Sequence, residues 1–251
     1  MKVESDMRKF AITFALLSSF AMQASAGPGY EVTSFAVDSM QEPVFVEALK
    51  EFAESNTGND YNGTIILQRH DNDGANPATH SIVALYPSMA VSEAYGKMIQ
   101  GDKAALGAWM KMVGKISAVS TMTYTSRFAR IGSWGTMDDK DSVWLSYSIT
   151  AKDAASVYRA IDGWMKSDMG KQFPGQLHLA GVVAAGIGGG THTVVVGYES
   201  MAEMESWAAK ASSSAGFLQL LHTLSVVSEI HGINLATDIA RFGKSATTVF
   251  K

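Results

Sequence analysis

In the first half of the chain, apolar residues recur in some segments at every second position, which predicts strands, and in others at every third or fourth position, which predicts helices. Phe45, Leu49 and Phe52 lie at helical intervals, and Pro43 stands at the expected first position of that helix. The predicted elements are a strand over 30–37, a helix over 43–56, strands over 63–70 and 80–86, a helical region over 89–117 broken near Gly101, and a strand over 122–131. The order is strand–helix–strand–strand–helix–strand.

The second half of the chain has the same order of predicted elements. Asp153 is the predicted N-cap of its first helix, and Ser200 with Glu203 forms the predicted capping box of a later helix. The inward residues of the first helix are predicted to be Val157, Ile161, Trp164 and Met165. Strands are predicted over 143–151, 177–185, 191–198 and 234–242.

Two segments of the chain, 112 residues apart, are copies of each other. Residues 79–95 and 191–207 align without a gap and share eight identities in seventeen positions. A repeat of this length indicates gene duplication, so we expect two similar units. A shorter match places Arg130 opposite Arg241 at an offset of 111. The predicted units are residues 27–135 and 136–251.

The repeated element order predicts an α+β fold built from two tandem ferredoxin-like βαββαβ units. Right-handed crossovers give the strand order 4-1-3-2 in each unit, with both helices on one face of the sheet. The third strand is apolar on both sides, since Ile82, Ala84 and Tyr86 alternate with Val83 and Leu85. Both sheet faces therefore need a cover. Two antiparallel sheets packed face to face as an intramolecular α/β barrel, with the helices outside, would provide it.

Residues 1–26 have the pattern of a secretory signal peptide. Arg8 and Lys9 precede an apolar run over 10–22, and Ala24-Ser25-Ala26 supplies a small-residue cleavage site. The expected location is periplasmic or secreted. No later segment is apolar for long enough to span a membrane, and cleavage would leave a net charge near −5, which disfavours nucleic acid as a partner. The chain has no Cys, which excludes disulfides and thiol chemistry.

The element order and the internal repeat resemble the dimeric α/β-barrel superfamily, in a form with both units in one chain. The resemblance implies a pseudo-dimer within one polypeptide. It also brings in the activities of that superfamily, which are cofactor-free monooxygenases of aromatic polyketides and haem enzymes such as chlorite dismutases and dye-decolorising peroxidases. The Gly-x-x-Asp-Gly pattern of the dye peroxidases is absent: Asp162-Gly163 lacks the leading Gly.

Two repeated His/Tyr pairs are the candidate ligand-binding residues: His80 with Tyr86, and His192 with Tyr198. Each pair lies on one face of its strand, six residues apart, and could combine a general base with a phenol donor. The alternative is that each His anchors the start of its strand. His222 is a lone helical histidine that could bind haem iron, as the resemblance implies.

The residues favour an exported protein that binds a small apolar molecule, with no metal site. The alternative is a cofactor-free monooxygenase or a haem-dependent oxidoreductase acting in the same cavity, and a structural or assembly role also stays open. No cofactor is predicted from the residues, while the resemblance leaves haem open. Ser/His/Asp arrangements and paired carboxylates are missing, so hydrolysis is disfavoured. Whether the protein is an enzyme and whether it forms further homo-oligomers stay open.

Overall fold

A computed structural model describes residues 27–72, 77–136, 138–185 and 190–249. The first repeat contains β1 (Gly29–Val37), α1 (Glu42–Ala53), α2 (Asn56–Asn59), β2 (Thr64–Asn72), β3 (His80–Tyr86), α3 (Met89–Gly101), α4 (Lys103–Val119) and β4 (Ser120–Gly135). The second contains β5 (Val143–Ala151), α5 (Ala154–Met165), a 3₁₀ turn (Gly170–Gln172), β6 (Gln176–Ala185), β7 (His192–Tyr198), α6 (Met201–Ser212), α7 (Ala215–Val227) and β8 (Ser228–Gly243), and a short α8 (Ala246–Val249) follows. The predicted signal peptide lies outside the described residues.

The strands pair in the order that the sequence predicts. Their hydrogen-bonded order is β1-β3-β2-β8-β5-β7-β6-β4, which closes as a barrel. The first repeat therefore contributes the neighbours β4-β1-β3-β2, and the second contributes β8-β5-β7-β6. Both are the 4-1-3-2 order, so the predicted α+β fold with duplicated βαββαβ units is confirmed.

Strand registers show that the two repeats are built in the same way. In β1 and β3, Gly29 pairs with Tyr86 and Phe35 pairs with His80. In β5 and β7, Val143 pairs with Tyr198 and Ile149 pairs with His192. The repeated His and Tyr occupy the same register in both strand pairs. Each residue of β1 therefore corresponds to the residue of β5 whose number is 114 higher.

The first helix of each repeat packs through the apolar face that the sequence predicts. The buried residues of α1 are Phe45, Ala48, Leu49, Phe52 and Ala53. Those of α5 are Val157, Ile161, Trp164 and Met165. Asp153 caps α5 by accepting a hydrogen bond from the Ala155 amide, which satisfies one of the free amides of the first turn. Each helix thus lies on a core cluster of its own repeat.

The final strands correct the predicted alignment of the two arginines. Ser120 and Ser228 begin these strands, and each hydroxyl donates to the carbonyl four residues earlier at 2.7 Å. Gly135 and Gly243 end them with φ of +87° and +84°, a conformation that favours glycine. The offset is therefore 108, not 111, and Arg130 does not correspond to Arg241.

Two compact units divide the described residues. The first comprises 27–68, 77–125 and 239–249, and the second comprises 69–72, 126–136, 138–185 and 190–238. Residues 120–125 of β4 and 239–243 of β8 thus belong to the first unit, and the rest of both strands belongs to the second. Within the described residues, no helix combines the length and apolar character that crossing a bilayer requires.

Candidate functional site

The first unit contains a cavity of about 110 Å³ between its sheet and the helices α1, α3 and α4. It is partly open to solvent, and most of its wall is apolar. Six aromatic residues contribute to that wall: Phe35, Phe52, Tyr61, Tyr86, Tyr95 and Trp109. A concave, mostly apolar site with a few polar groups is the usual form of a small-molecule site.

Hydrogen bonds and ring contacts hold the aromatic wall in place. The Tyr61 hydroxyl donates to the Leu85 carbonyl at 2.9 Å, and the Tyr95 hydroxyl donates to the Thr57 carbonyl at 2.7 Å. The Tyr61 and Tyr95 ring centroids are 4.9 Å apart, and burial raises the pKa of the Tyr95 hydroxyl. Since both hydroxyls are bound to backbone, these residues contribute ring surface to the cavity.

Glu31 places a carboxylate in the cavity wall. It is buried, at 7% exposure, on the face of β1 that also carries Thr33 and Phe35. Our sequence reasoning missed this residue. A comparison of the two repeats would have indicated it, because the equivalent position of β5 carries the apolar residue Leu145.

The structure places only one member of the first predicted pair in the cavity. Tyr86 is fully buried and lines it. His80 lies on the same strand face but outside the lining, and it is 4% exposed. Its Nδ1 contacts the Thr79 hydroxyl at 2.9 Å, and its Nε2 lies 3.2 Å from Oε2 of Glu42 at the start of α1. These contacts tie β3 to α1.

The second predicted pair has different surroundings. His192 is half-buried, its Nδ1 lies 2.8 Å from the Thr191 hydroxyl, and burial lowers its pKa. Tyr198 is buried in the core cluster of the second unit, with its ring centroid 5.7 Å from that of Phe173. Burial, together with Tyr147 and nearby carboxylates, raises the pKa of Tyr198. The duplicated pairs thus have separate environments.

The second unit carries larger apolar side chains at several positions that line the cavity of the first. Tyr147 stands where β1 has Thr33, and Val196 stands where β3 has Ala84. The offset of 112 also places Met204 opposite Ser92, Trp207 opposite Tyr95 and Trp164 opposite Phe52. All five of these second-unit residues pack in or against the core cluster. At these five positions the second unit carries the larger side chain, and the smaller residues of the first unit border the cavity.

A buried polar network lies at the start of β6 in the second unit. His178 Nδ1 contacts the Ser133 hydroxyl at 2.8 Å, and His178 Nε2 contacts Oε1 of Gln176 at 2.9 Å. The backbone N–H of Gln176 donates to Oδ2 of Asp141 at 3.1 Å. Because Nε2 of Gln176 donates to the Asp138 carbonyl, its Oε1 faces His178, which fixes the imidazole proton on Nε2. This network is satisfied internally, which indicates a structural role.

Haem does not fit the described cavity. No His lines it, and its volume is far below the roughly 300 Å³ at which ordinary cofactor pockets begin. His222 is exposed on α7. The described residues contain no group of three His, Cys, Asp or Glu side chains that could hold a metal ion.

No protein-family model matches the chain, and no curated protein sequence does so. Solved structures do match. A proposed monooxygenase from Lactobacillus acidophilus aligns with a TM-score of 0.60 at 9% identity, over 86% of this chain and 96% of that one. An anthrone oxidase-like protein aligns at 0.57 and 11%, over 88% and 94%. A haem-binding protein from Thermus thermophilus aligns at 0.54 and 11%, over 87% and 93%.

At these identities the similarity concerns the fold. It extends over nearly the whole length of each matched structure, and the strand order and the two repeats agree with it. The chain therefore has a ferredoxin-like α/β-barrel fold, with both βαββαβ units in a single polypeptide.

Proposed function

We propose that the first unit binds a small, mainly apolar molecule in its cavity. The observation that carries this proposal is the hollowed wall, where Thr33, Ala84 and Ser92 replace the larger residues of the repeat. An apolar space in a well-packed protein weakens packing unless something occupies it. Export, expected from residues 1–26, belongs to the same proposal: the protein would meet this molecule outside the cytoplasm.

The size of the cavity limits the ligand to about one ring. A dry, apolar cavity of about 150 Å³ binds benzene in another protein. The cavity of the first unit is about 110 Å³ and opens to solvent, so a ring can enter and a substituent can extend outward. Its walls are held by hydrogen bonds and ring packing, so little ordering should be needed on binding.

Toluene binding tests the proposal. We expect toluene at about ten times its Kd to stabilise the protein by about 1.4 kcal/mol, which is a rise in Tm of a few degrees. The double variant Ala84→Val/Ser92→Met introduces the second-unit residues and should abolish this rise. Ala94→Met adds the same side chain at an exposed position of α3 and should leave it intact. Equal stabilisation of all three proteins, or of none, would contradict the proposal.

The alternative is a cofactor-free monooxygenase acting in the same cavity. The matched structures that are named as monooxygenase and anthrone oxidase-like proteins support it, and Glu31 offers a buried carboxylate that could act as general base. Under this alternative, the protein consumes oxygen with anthrone, of which one ring would enter the cavity while the others extend outward, and Glu31→Gln slows the reaction at least tenfold. Under the binding proposal, the rate of oxygen uptake equals that of buffer.

A haem-dependent oxidoreductase is the other form of this alternative. The match to a haem-binding protein supports it, but the cavity described above offers neither a His nor the volume. Titration of the purified protein with haemin distinguishes it, since a haem site would give a stoichiometric Soret shift.

A further inference from the structure

We propose that the ligand of the first unit is a single-ring phenol with the dimensions of a tyrosine side chain. This inference deepens the proposed function and rests on it. It comes from the duplicated strand position at which the second unit carries Tyr147 and the first carries Thr33.

The equivalence of these two positions follows from the strand registers. Thr33 of β1 pairs with Ile82 of β3, and Tyr147 of β5 pairs with Val194 of β7. Ile82 and Val194 are themselves equivalent, because they lie two residues after His80 and His192. The Thr33 side chain lines the cavity, and Tyr147 packs against the core cluster of the second unit, so we infer that the Tyr147 ring takes up the space that Thr33 leaves open in the first unit.

The surroundings of Tyr147 show what this space accepts. Its ring packs against the core cluster of the second unit. Tyr147 pairs with Val194, so it shares a sheet face with Tyr198, four residues further along β7. The residue equivalent to Tyr198 is Tyr86, which lines the cavity of the first unit. A phenol bound in place of the missing side chain would thus lie on the sheet face that carries Glu31 and Tyr86.

The first unit carries a carboxylate on this sheet face. Glu31 replaces Leu145 and pairs with Ala84, so its side chain shares a sheet face with Tyr86 two residues further along β3. A carboxylate accepts a hydrogen bond from a phenol, and charge-assisted hydrogen bonds are stronger than neutral ones. Toluene has the same ring and methyl group as p-cresol but lacks the hydroxyl. The pair therefore separates recognition of the hydroxyl from recognition of the ring.

Calorimetric titration with p-cresol and toluene tests the inference. We expect one p-cresol site in the unmodified protein, with a Kd at least tenfold lower than that of toluene. Thr33→Tyr should abolish p-cresol binding, because it supplies the ring covalently in a setting that the second unit already accommodates. If neither compound binds, the proposed function fails as well. Toluene that binds as tightly as p-cresol overturns only the phenol inference.

The reciprocal change in the second unit provides an independent test. In the Thr33→Tyr/Tyr147→Thr variant, we expect the p-cresol site to reappear in the second unit and p-cresol to raise the Tm. Thr33→Tyr/Tyr147→Phe is the matched control, which keeps the ring and should bind nothing. Because Tyr147→Thr could itself prevent folding, circular dichroism is recorded first, and an unfolded variant leaves the Thr33→Tyr titration to decide. Leu145 stands where the first unit has Glu31, so this second-unit site should bind toluene as well as p-cresol, and a folded variant that binds neither overturns the inference.

Discussion

The repeated His/Tyr pairs show that identical residues can have different roles after duplication. His80 meets Glu42 at the start of α1, whereas the equivalent first residue of α5 is Ala154 and offers no side-chain partner to His192. His80 is also more buried than His192. The alternative that each His anchors its strand therefore has direct support in the contacts of His80, while binding of a ligand by His80, His192 or Tyr198 stays a prediction.

The two histidines should differ in their contribution to stability. We expect His80→Gln to lower the free energy of unfolding by about 1–3 kcal/mol, because a buried hydrogen bond to Glu42 is lost. His192→Gln should cost about 0.5 kcal/mol or less, since this side chain is partly exposed. Urea unfolding of both variants measures the difference. Equal losses would show that the Glu42 contact contributes nothing, and toluene affinity should stay unchanged in His80→Gln.

At the level of elements, most of the fold could be predicted from local patterns. The predicted bounds of β3 and β5 agree with the structure, and so do the four inward residues of α5. The starts of β4 and β8 were predicted too late, at 122 and 234 instead of Ser120 and Ser228. Each follows its helix without a loop, so neither Gly nor Pro marks the boundary.

The cavity was harder to predict than the elements around it. Tyr86 was predicted as a ligand-binding residue and does line the cavity. The residues that open the space are Thr33, Ala84 and Ser92, which look unremarkable in a strand or a helix. Only the register of β1 against β3 shows that these small side chains and the neighbouring ones face one cavity, and the sequence alone does not give that register.

The buried polar network around Gln176 contains two titratable groups, Asp141 before β5 and His178 on β6, whose pKa values move in opposite directions. Burial raises the pKa of Asp141 from 3.8 to about 6, and burial lowers that of His178 from 6.5 to about 4. Asp141 binds its proton more tightly in the folded state than in the unfolded state. Its contribution to the free energy of unfolding is therefore fully present below about pH 4 and is lost as the pH rises through about 6. The folded state disfavours a proton on His178, so that contribution is present above about pH 6.5 and is lost as the pH falls towards 4.

Single variants separate these opposed effects. We compare the free energy of unfolding of the unmodified protein with that of Asp141→Asn. As the pH rises from 4 to 7, the difference between them should fall by about 1–3 kcal/mol, because two pKa units correspond to about 2.7 kcal/mol. Relative to His178→Gln, the free energy of unfolding of the unmodified protein should rise over the same interval. Denaturant titrations at several pH values provide the data. Parallel pH profiles for the three proteins would contradict the assignment of this pH dependence to Asp141 and His178.

At the scale of the whole molecule, two copies of one fold differ in the size of the side chains at equivalent interior positions. An empty apolar cavity of 110 Å³ would cost roughly 2–3 kcal/mol, taking about 24 cal/mol per Å³, and solvent access reduces that figure. A bound ring would offset this cost. At the equivalent positions the second unit carries Tyr147, Met204 and Trp207, which pack in or against its core cluster.

The central claim is that a small ring compound binds in the first unit, and methionine methyl NMR tests it most directly. Met112 and Met122 line the cavity, whereas Met165 and Met204 belong to the core of the second unit. Toluene should shift the methyl resonances of Met112 and Met122 in a saturable way through its ring current, and those of Met165 and Met204 should stay in place. Shifts at Met165 and Met204, or none at Met112 and Met122, would contradict the claim.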